Sequence, residues 1–167
     1  MIDFTSMIIG LHKKYIKGSE KNAIVQIVQA FMCNLTAAVV NGISCPSNKV
    51  YISTRVLKHV YDKRPAEEFD FLIENLHLII KFPDLIFKNK SGKRGEFCFV
   101  KEIKGKKYLC SIEIINKVDI VQCEIATFFR VDSDYLKNYE LLWEWKGGGL
   151  HRSAFDADIT QPNSTLQ

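Results

Sequence analysis

The sequence predicts an α+β fold: an antiparallel sheet of three or four strands with helices packed on one face, preceded by N-terminal helices. Three observations carry this expectation. Before Pro83 the apolar residues recur at helical spacing, and beyond it they alternate as strand residues do. The later connections are short and carry Lys104-Gly105 and Asn116-Lys117, which suits a meander of antiparallel strands. At 167 residues, 47% hydrophobic and 25% charged, the chain fits one globular domain with an extension, and wholesale disorder and a coiled coil are excluded.

Phe4, Met7, Ile8, Leu11 and Tyr15 share one helical face over residues 3–17, and Gly18 ends the turn. Ser19 is placed to cap a second helix reaching to about residue 40, with Asn41-Gly42 as its stop. Its stripe is Ile24, Val28, Phe31, Leu35 and Val39, although the β-branched content leaves a strand pair open for this stretch. A Ser/Cys/Pro/Asn linker follows at 44–48. A short strand is expected at 50–53, then a helix capped by Ser53 or Thr54 that breaks before Pro65, because the residue preceding proline disfavours the helical region. A further helix runs over 66–80, with Glu67 and Glu68 suiting its N-terminus and Phe69, Leu72, Ile73, Leu76 and Ile80 lining its buried face. Strands are expected over 96–103, 107–115 and 120–131. A last helix after Asp134 holds Tyr135, Tyr139 and Leu142, with Trp143 and Trp145 beyond. The resulting organisation is a helical extension (1–46), an α+β domain (47–146) and a flexible polar tail (147–167) opened by Gly147-Gly148-Gly149.

Five widely spaced cysteines, Cys33, Cys45, Cys98, Cys110 and Cys123, with no C-x-x-C pair, argue against a disulfide framework and a structural zinc site. They read as small buried hydrophobes of a reducing, cytoplasmic compartment. Residues 23–40 carry no charge, but Gln26, Gln29, Asn34 and Thr36 interrupt them, so a buried helix is expected there and not a membrane span. No basic segment precedes an apolar run near Asp3, so a secretory signal is not expected. No phosphate loop, dinucleotide fingerprint, nucleophile elbow or H-E-x-x-H motif occurs. His12, His59, His77 and His151 lack ligand spacing, and neither a metal nor a cofactor is expected. His59 stands apart because it follows Lys58 on the helix that opens the α/β part.

The charge is uneven. Lys88, Lys90, Lys93, Arg94, Lys101, Lys104, Lys106 and Lys107 face only Glu96 and Glu102, a local +6 on a chain of +4, so the remainder sums to −2. A basic patch on a near-neutral body suits a polyanion. Strict alternation in the last strand puts Val121, Cys123, Ile125, Thr127, Phe129 and Val131 on the core face, and Gln122, Glu124, Phe128 and Arg130 on the other. With Lys101, Ser111 and Glu113 they give a sheet face holding acidic, basic and aromatic groups together.

The runs VYISTRVLKHVYDKRP (50–65), LIENLHLIIKFPDLIFKN (72–89), GEFCFVKEIKGKKYLCSIEI (95–114) and QCEIATFFRV (122–131) resemble nuclease-like domains of the barnase–EndoU–colicin–RelE superfamily associated with phages and toxins. The shared pattern is a leading strand, a helix with a lysine–histidine pair, a second helix ending in a proline–aspartate turn, and three strands whose last carries a hydroxyl before an aromatic. It covers residues 50–146. The resemblance implies a metal-independent endoribonuclease, often a toxin acting on transfer RNA or other cellular RNA and matched by a cognate inhibitor protein. Carried over, His59 is the helix histidine (with Lys58 beside it), Lys101 or Arg94 the basic residue at the first meander strand, Thr127 the last-strand hydroxyl and Arg130 a phosphate contact. Alternation turns Thr127 toward the core, so a β-bulge is needed to re-aim it.

The chemistry agrees with that reading. RNA brings its own nucleophile, the 2′-hydroxyl, and cleavage needs a proton-transfer group and cations around the phosphorus. His59 serves as base or acid, Glu113 or Glu124 as a second such group, Lys101 and Arg130 as the groups that hold the phosphate, Lys58, Lys93 and Arg94 as RNA contacts, and Phe97, Phe99 or Phe128 as a stacking surface. The rival expectations are a non-catalytic RNA- or protein-binding module of a phage or mobile element, and a homodimer formed through the N-terminal helices.

Overall fold

The computed structural model describes residues 3–146. Helix α1 (Phe4–Tyr15) starts at Asp3, whose carboxylate accepts from the Ser6 backbone N–H at 2.9 Å. Strand β1 (Gln29–Asn34), the short helix α2 (Ala37–Ile43) and strand β2 (Lys49–Ser53) follow, then helices α3 (Thr54–Lys63) and α4 (Ala66–Lys81). The rest is strand β3 (Leu85–Lys88), strands β4 (Phe97–Ile103), β5 (Lys106–Lys117) and β6 (Ile120–Val131), a 3-10 turn (Ser133–Leu136) and strand β7 (Glu140–Glu144).

The α+β class holds, but the sheet is larger than expected. It has seven strands in the order β1-β2-β6-β5-β4-β3-β7, and β2 runs parallel to β6 while every other pairing is antiparallel. The expected meander β4-β5-β6 forms its centre. Two of the additional strands come from stretches read as helix. Residues 19–40 are an extended segment, β1 and the start of α2. The physical reason lies in α3, which satisfies their backbone. Tyr61 Oη accepts from Gly18 N–H (3.1 Å), Asp62 from Asn22 N–H (3.0 Å), and the buried Thr54 hydroxyl accepts from Val28 N–H (2.9 Å) while donating to Gln26 C=O (2.7 Å). A β-branched stretch with poor helix propensity takes partners offered in an extended conformation. Likewise the helix expected after Asp134 is the 3-10 turn plus β7, which pairs with β3.

Of the expected extension at 1–46, the described residues 3–46 are therefore not a helical layer apart from the sheet. Ile8 and Ile16 lie in the main core with Leu57, Leu72, Leu76, Phe99 and Phe128, and His12 packs between Tyr61 and Phe69. Helix α1 turns its apolar face onto α3 and α4, and the second N-terminal helix expected up to residue 40 does not form as one helix. The tail expected at 147–167, with His151, lies outside the described residues. All five cysteines are free and buried. No helix of the described residues is long and apolar enough to cross a membrane.

The second sheet face is only partly open. Phe87, Cys98, Val100, Leu109, Val131 and Leu136 form a smaller core there, with Phe129, Tyr135 and Tyr139 at its rim. The register explains how Phe129 arrives on that side. Ser111 pairs with Thr127 but Ile112 with Ile125, so Ala126 is an extra residue in β6. This β-bulge reverses the alternation: Cys123, Ile125 and Phe128 face the helices, and Thr127 and Phe129 face away from them.

Candidate functional site

Helix α3 begins where β2 ends, with Ser53 Oγ accepting from Val56 N–H at 3.3 Å. Beta-strand pairing of β2 with β6 involves only Val50 and Tyr51, and α3 packs against β6 beyond it. Val56, Leu57 and Val60 go to the core, while Arg55, His59 and Lys63, spaced four apart, form an exposed basic stripe. Adjacent helical residues point about 100° apart, and this separates the lysine–histidine pair. Lys58 turns inward, its Nζ donating to Glu20 C=O and to the Asp62 carboxylate, both at 2.6 Å. Of the pair, His59 alone reaches the surface.

The β3–β4 loop brings the second component. Asn89 Nδ2 donates to the carbonyls of Arg94 (2.7 Å) and Gly95 (3.2 Å), which fixes the loop. Gly95 has φ +93, and a Cβ there would sit 3.0 Å from the Ile112 carbonyl oxygen, so only glycine lets the loop lie this close to β5. Glu96 then donates its N–H to Ile112 C=O (2.8 Å) and accepts from Ile114 N–H through its carboxylate (2.6 Å). Held this way, Arg94 donates from Nη2 to Glu113 Oε1 at 3.0 Å. Glu113 lies directly across from Glu124, which accepts from Gln122 Nε2 at 2.9 Å, and the next pair along the same face is Ser111 with Thr127.

Electrostatics joins these parts. The His59 ring is held below its ordinary value by partial burial first, then by the charges of Lys63, Arg64 and Arg94, against the opposing pull of Asp62. Arg64 also places its guanidinium carbon 4.9 Å from the centre of the Phe129 ring. The exposed imidazole thus feels the charge of three cations, one of them tied to a carboxylate on the sheet, and its protonated form is disfavoured. Such a site accepts a proton and attracts a phosphate.

Several expected residues lie elsewhere. Lys101 is buried, donates to Phe82 C=O at 2.8 Å and lies 3.7 Å from the Asp84 carboxylate, on the helix-facing side opposite Tyr108. Phe128 is fully buried in the main core, as is Phe99, so neither offers a stacking surface. Ser111 is buried as well. Arg130, opposite Tyr108, lines a cleft of about 460 Å³ with Glu67, Glu68, Phe71 and Lys106, on the other side of the sheet from Thr127. The face expected to gather Lys101, Ser111, Glu113, Glu124, Phe128 and Arg130 is therefore divided, and the bulge at Ala126 is the reason on the β6 side. Of the two alternatives for the basic residue, Arg94 is the one whose charge acts on His59. Lys93 is exposed, with Nζ 3.0 Å from Tyr135 Oη. Lys63 and Arg64 were not singled out from the sequence, although the i+4 spacing from His59 to Lys63 was there to be read. Among the described residues no group of three or more His, Cys, Asp or Glu is placed to hold a metal ion.

A family model described as phage-Barnase-EndoU-ColicinE5/D-RelE like nuclease 3 matches residues 34–138, from the end of β1 through the 3-10 turn. No curated protein and no solved structure matches the chain significantly.

Proposed function

The chain belongs to this phage-associated family of Barnase-EndoU-ColicinE5/D-RelE-like nucleases, and from that premise we propose that it is an endoribonuclease that cleaves RNA through its own 2′-hydroxyl. The observation that carries this reading is the exposed His59 ring on α3, on which the charges of Lys63, Arg64 and Arg94 act together to disfavour the protonated form, with Arg94 held by Glu113. His59 takes the 2′-hydroxyl proton as general base. The 2′-oxygen attacks phosphorus and the P–O5′ bond breaks, leaving a 2′,3′-cyclic phosphate and a 5′-oxygen that takes a proton from water. Arg94 and Arg64 stabilise the extra negative charge on the phosphorane. Glu113 positions Arg94, and Thr127, turned outward by the bulge, hydrogen-bonds the phosphate. The proton acceptor and the phosphate contacts are side chains of this chain, so the reaction is expected to proceed in EDTA. Cytoplasmic RNA is the proposed substrate pool.

The test is incubation of purified protein with total RNA in EDTA. Expected are fragments ending in 2′,3′-cyclic phosphate and 5′-hydroxyl, and a rate about 10²–10⁴-fold lower for His59→Ala with RNA affinity nearly unchanged. Cleavage that His59→Ala leaves intact overturns the assignment, and an absence of cleavage by wild type favours the non-catalytic binding module, for which the same cations suffice.

A further inference from the structure

The rim of the smaller core carries aromatic rings and cations in alternation. Arg64 lies over Phe129 (4.9 Å to the ring centre), Lys93 over Tyr135 (4.9 Å) and Lys90 over Tyr139 (4.9 Å). The rings themselves form a row. Phe129 meets Tyr135 edge-on at 5.6 Å, and Tyr135 stacks on Tyr139 at 5.6 Å with planes 26° apart. Each is half-buried and packs against the smaller core, with its cation over the ring. The row is held from both ends. The Asp132 carboxylate accepts from Tyr135 N–H at 3.0 Å, and Asn89 fixes the loop that carries Lys90 and Lys93. Lys93 donates to Tyr135 Oη, and this bond raises its pKa.

This row runs into the cleavage site. Arg64 belongs to both, and Arg94 directly follows Lys93. We propose that Phe129, Tyr135 and Tyr139, alternating with Arg64, Lys93 and Lys90, form a stacking track that binds about two or three unpaired nucleotides of single-stranded RNA next to the scissile phosphate. The proposal rests on the ribonuclease reading above for its substrate. An exposed ammonium over a ring is weakly held, and a base stacks on the same face more strongly. An arriving base displaces the lysine, and the lysine then pairs with the phosphate beside that base. Double-stranded RNA keeps its base faces stacked inside the helix, so it cannot use the rings, and an acidic protein would use the cations and leave the rings idle.

The experiment measures binding of 2′-O-methyl RNA, which lacks the nucleophilic hydroxyl, by fluorescence anisotropy over a salt series. The probes are a single-stranded octamer and the matching duplex. Cleavage of an unmodified octamer and of a dinucleotide is measured in parallel. The variants are Tyr135→Leu, Tyr139→Leu, Tyr135→Phe and Lys93→Gln, each checked for an unchanged melting temperature. Expected are a preference of wild type for the single strand, a loss of about 10-fold in octamer affinity for each leucine variant, retained affinity for Tyr135→Phe, and a salt slope reduced by about one for Lys93→Gln. Octamer cleavage should fall more than dinucleotide cleavage. If a leucine variant does not fold, Lys93→Gln and the duplex comparison still decide. Equal binding of duplex and single strand, or octamer affinity insensitive to both leucine changes, overturns the track while leaving the nuclease assignment to stand on His59. Ring-dependent binding by a wild-type protein that cleaves nothing keeps the track and removes the nuclease.

Discussion

A histidine among cations is neutral at a pH where an isolated one is partly charged, and that is the state a general base requires. The acid limb of kcat/KM for RNA cleavage is therefore expected below the ordinary histidine value of 6.5. Arg94→Gln removes one of the depressing charges, so the limb should shift upward toward 6.5 while affinity falls with the lost phosphate contact; a limb that does not move separates Arg94 from His59. Lys58 makes the opposite case. Its ammonium and the Asp62 carboxylate are about nine-tenths buried and 2.6 Å apart. Lys58→Met strands the carboxylate and should cost about 3 kcal/mol in urea unfolding, with RNA affinity of the folded protein unchanged. A loss of affinity without a loss of stability would return Lys58 to the RNA surface. Among the thiols, Cys45 is distinct. Its hydrogen bond with Cys123, at 3.5 Å, together with a backbone hydrogen bond at Ser47, brings its pKa down to about 7, whereas burial raises Cys33 to about 12 and Cys98 to about 11. Iodoacetamide at pH 7.5 should alkylate Cys45 first in the folded protein, and Cys45→Ser should abolish that fast phase.

At the scale of elements, two local departures from regularity build the site. One is the extra residue Ala126, which sends Thr127 and Phe129 to the side of Arg94 and Glu113 and commits Phe128 to the core. The other is Gly95, which lets the β3–β4 loop press against β5. Gly95→Ala places a Cβ against the Ile112 carbonyl in a backbone conformation that alanine resists, so the loop must lift and carry Arg94 away from Glu113. The expected result is a protein with a modestly lower melting temperature and cleavage reduced by about 10-fold or more, comparable to Arg94→Gln. Cleavage at the wild-type rate would mean that Arg94 reaches its position without the tight turn.

At the scale of the whole molecule, His12 ties α1 to the two helices that pack on the sheet: its ring lies 5.3 Å from Tyr61 of α3 and 4.8 Å from Phe69 of α4, and its Nε2 has no hydrogen-bond partner among the described residues. Burial first, and Lys17 with it, lowers the His12 pKa, against the pull of Asp70. A base whose folded pKa is depressed binds its proton more readily in the unfolded chain. Its contribution to stability is complete above 6.5 and is lost as pH falls through the lower folded value. His59 has the same sign. The urea midpoint should therefore drop between pH 7.5 and 5.5. His12→Leu should flatten that dependence, and an unchanged slope would exclude His12 as its source.

Periodicity in the sequence was enough to determine α1, α3, α4 and the β4-β5-β6 meander, because each buries a regular stripe whose spacing is local information. The place of His59 after Lys58 on a helix singled it out, and the family resemblance offered Arg94 as an alternative to Lys101. The fate of residues 19–40 was not local. Their backbone partners are side chains of α3 some 26 to 43 positions away, and only tertiary hydrogen bonding made them extended. The division between Lys58 inside and His59 outside depended on which side of α3 met the core. The bulge moved every later side chain of β6 to the opposite face, and nothing in the run Ile125-Ala126-Thr127 marks where an extra residue will be inserted. The row of Phe129, Tyr135 and Tyr139 under Arg64, Lys93 and Lys90 draws on α3, the β3–β4 loop, β6 and the segment after it. Side chains so distant in sequence share a surface only after the sheet has formed, because the packing of the sheet, and not the spacing of residues, sets the distances between them.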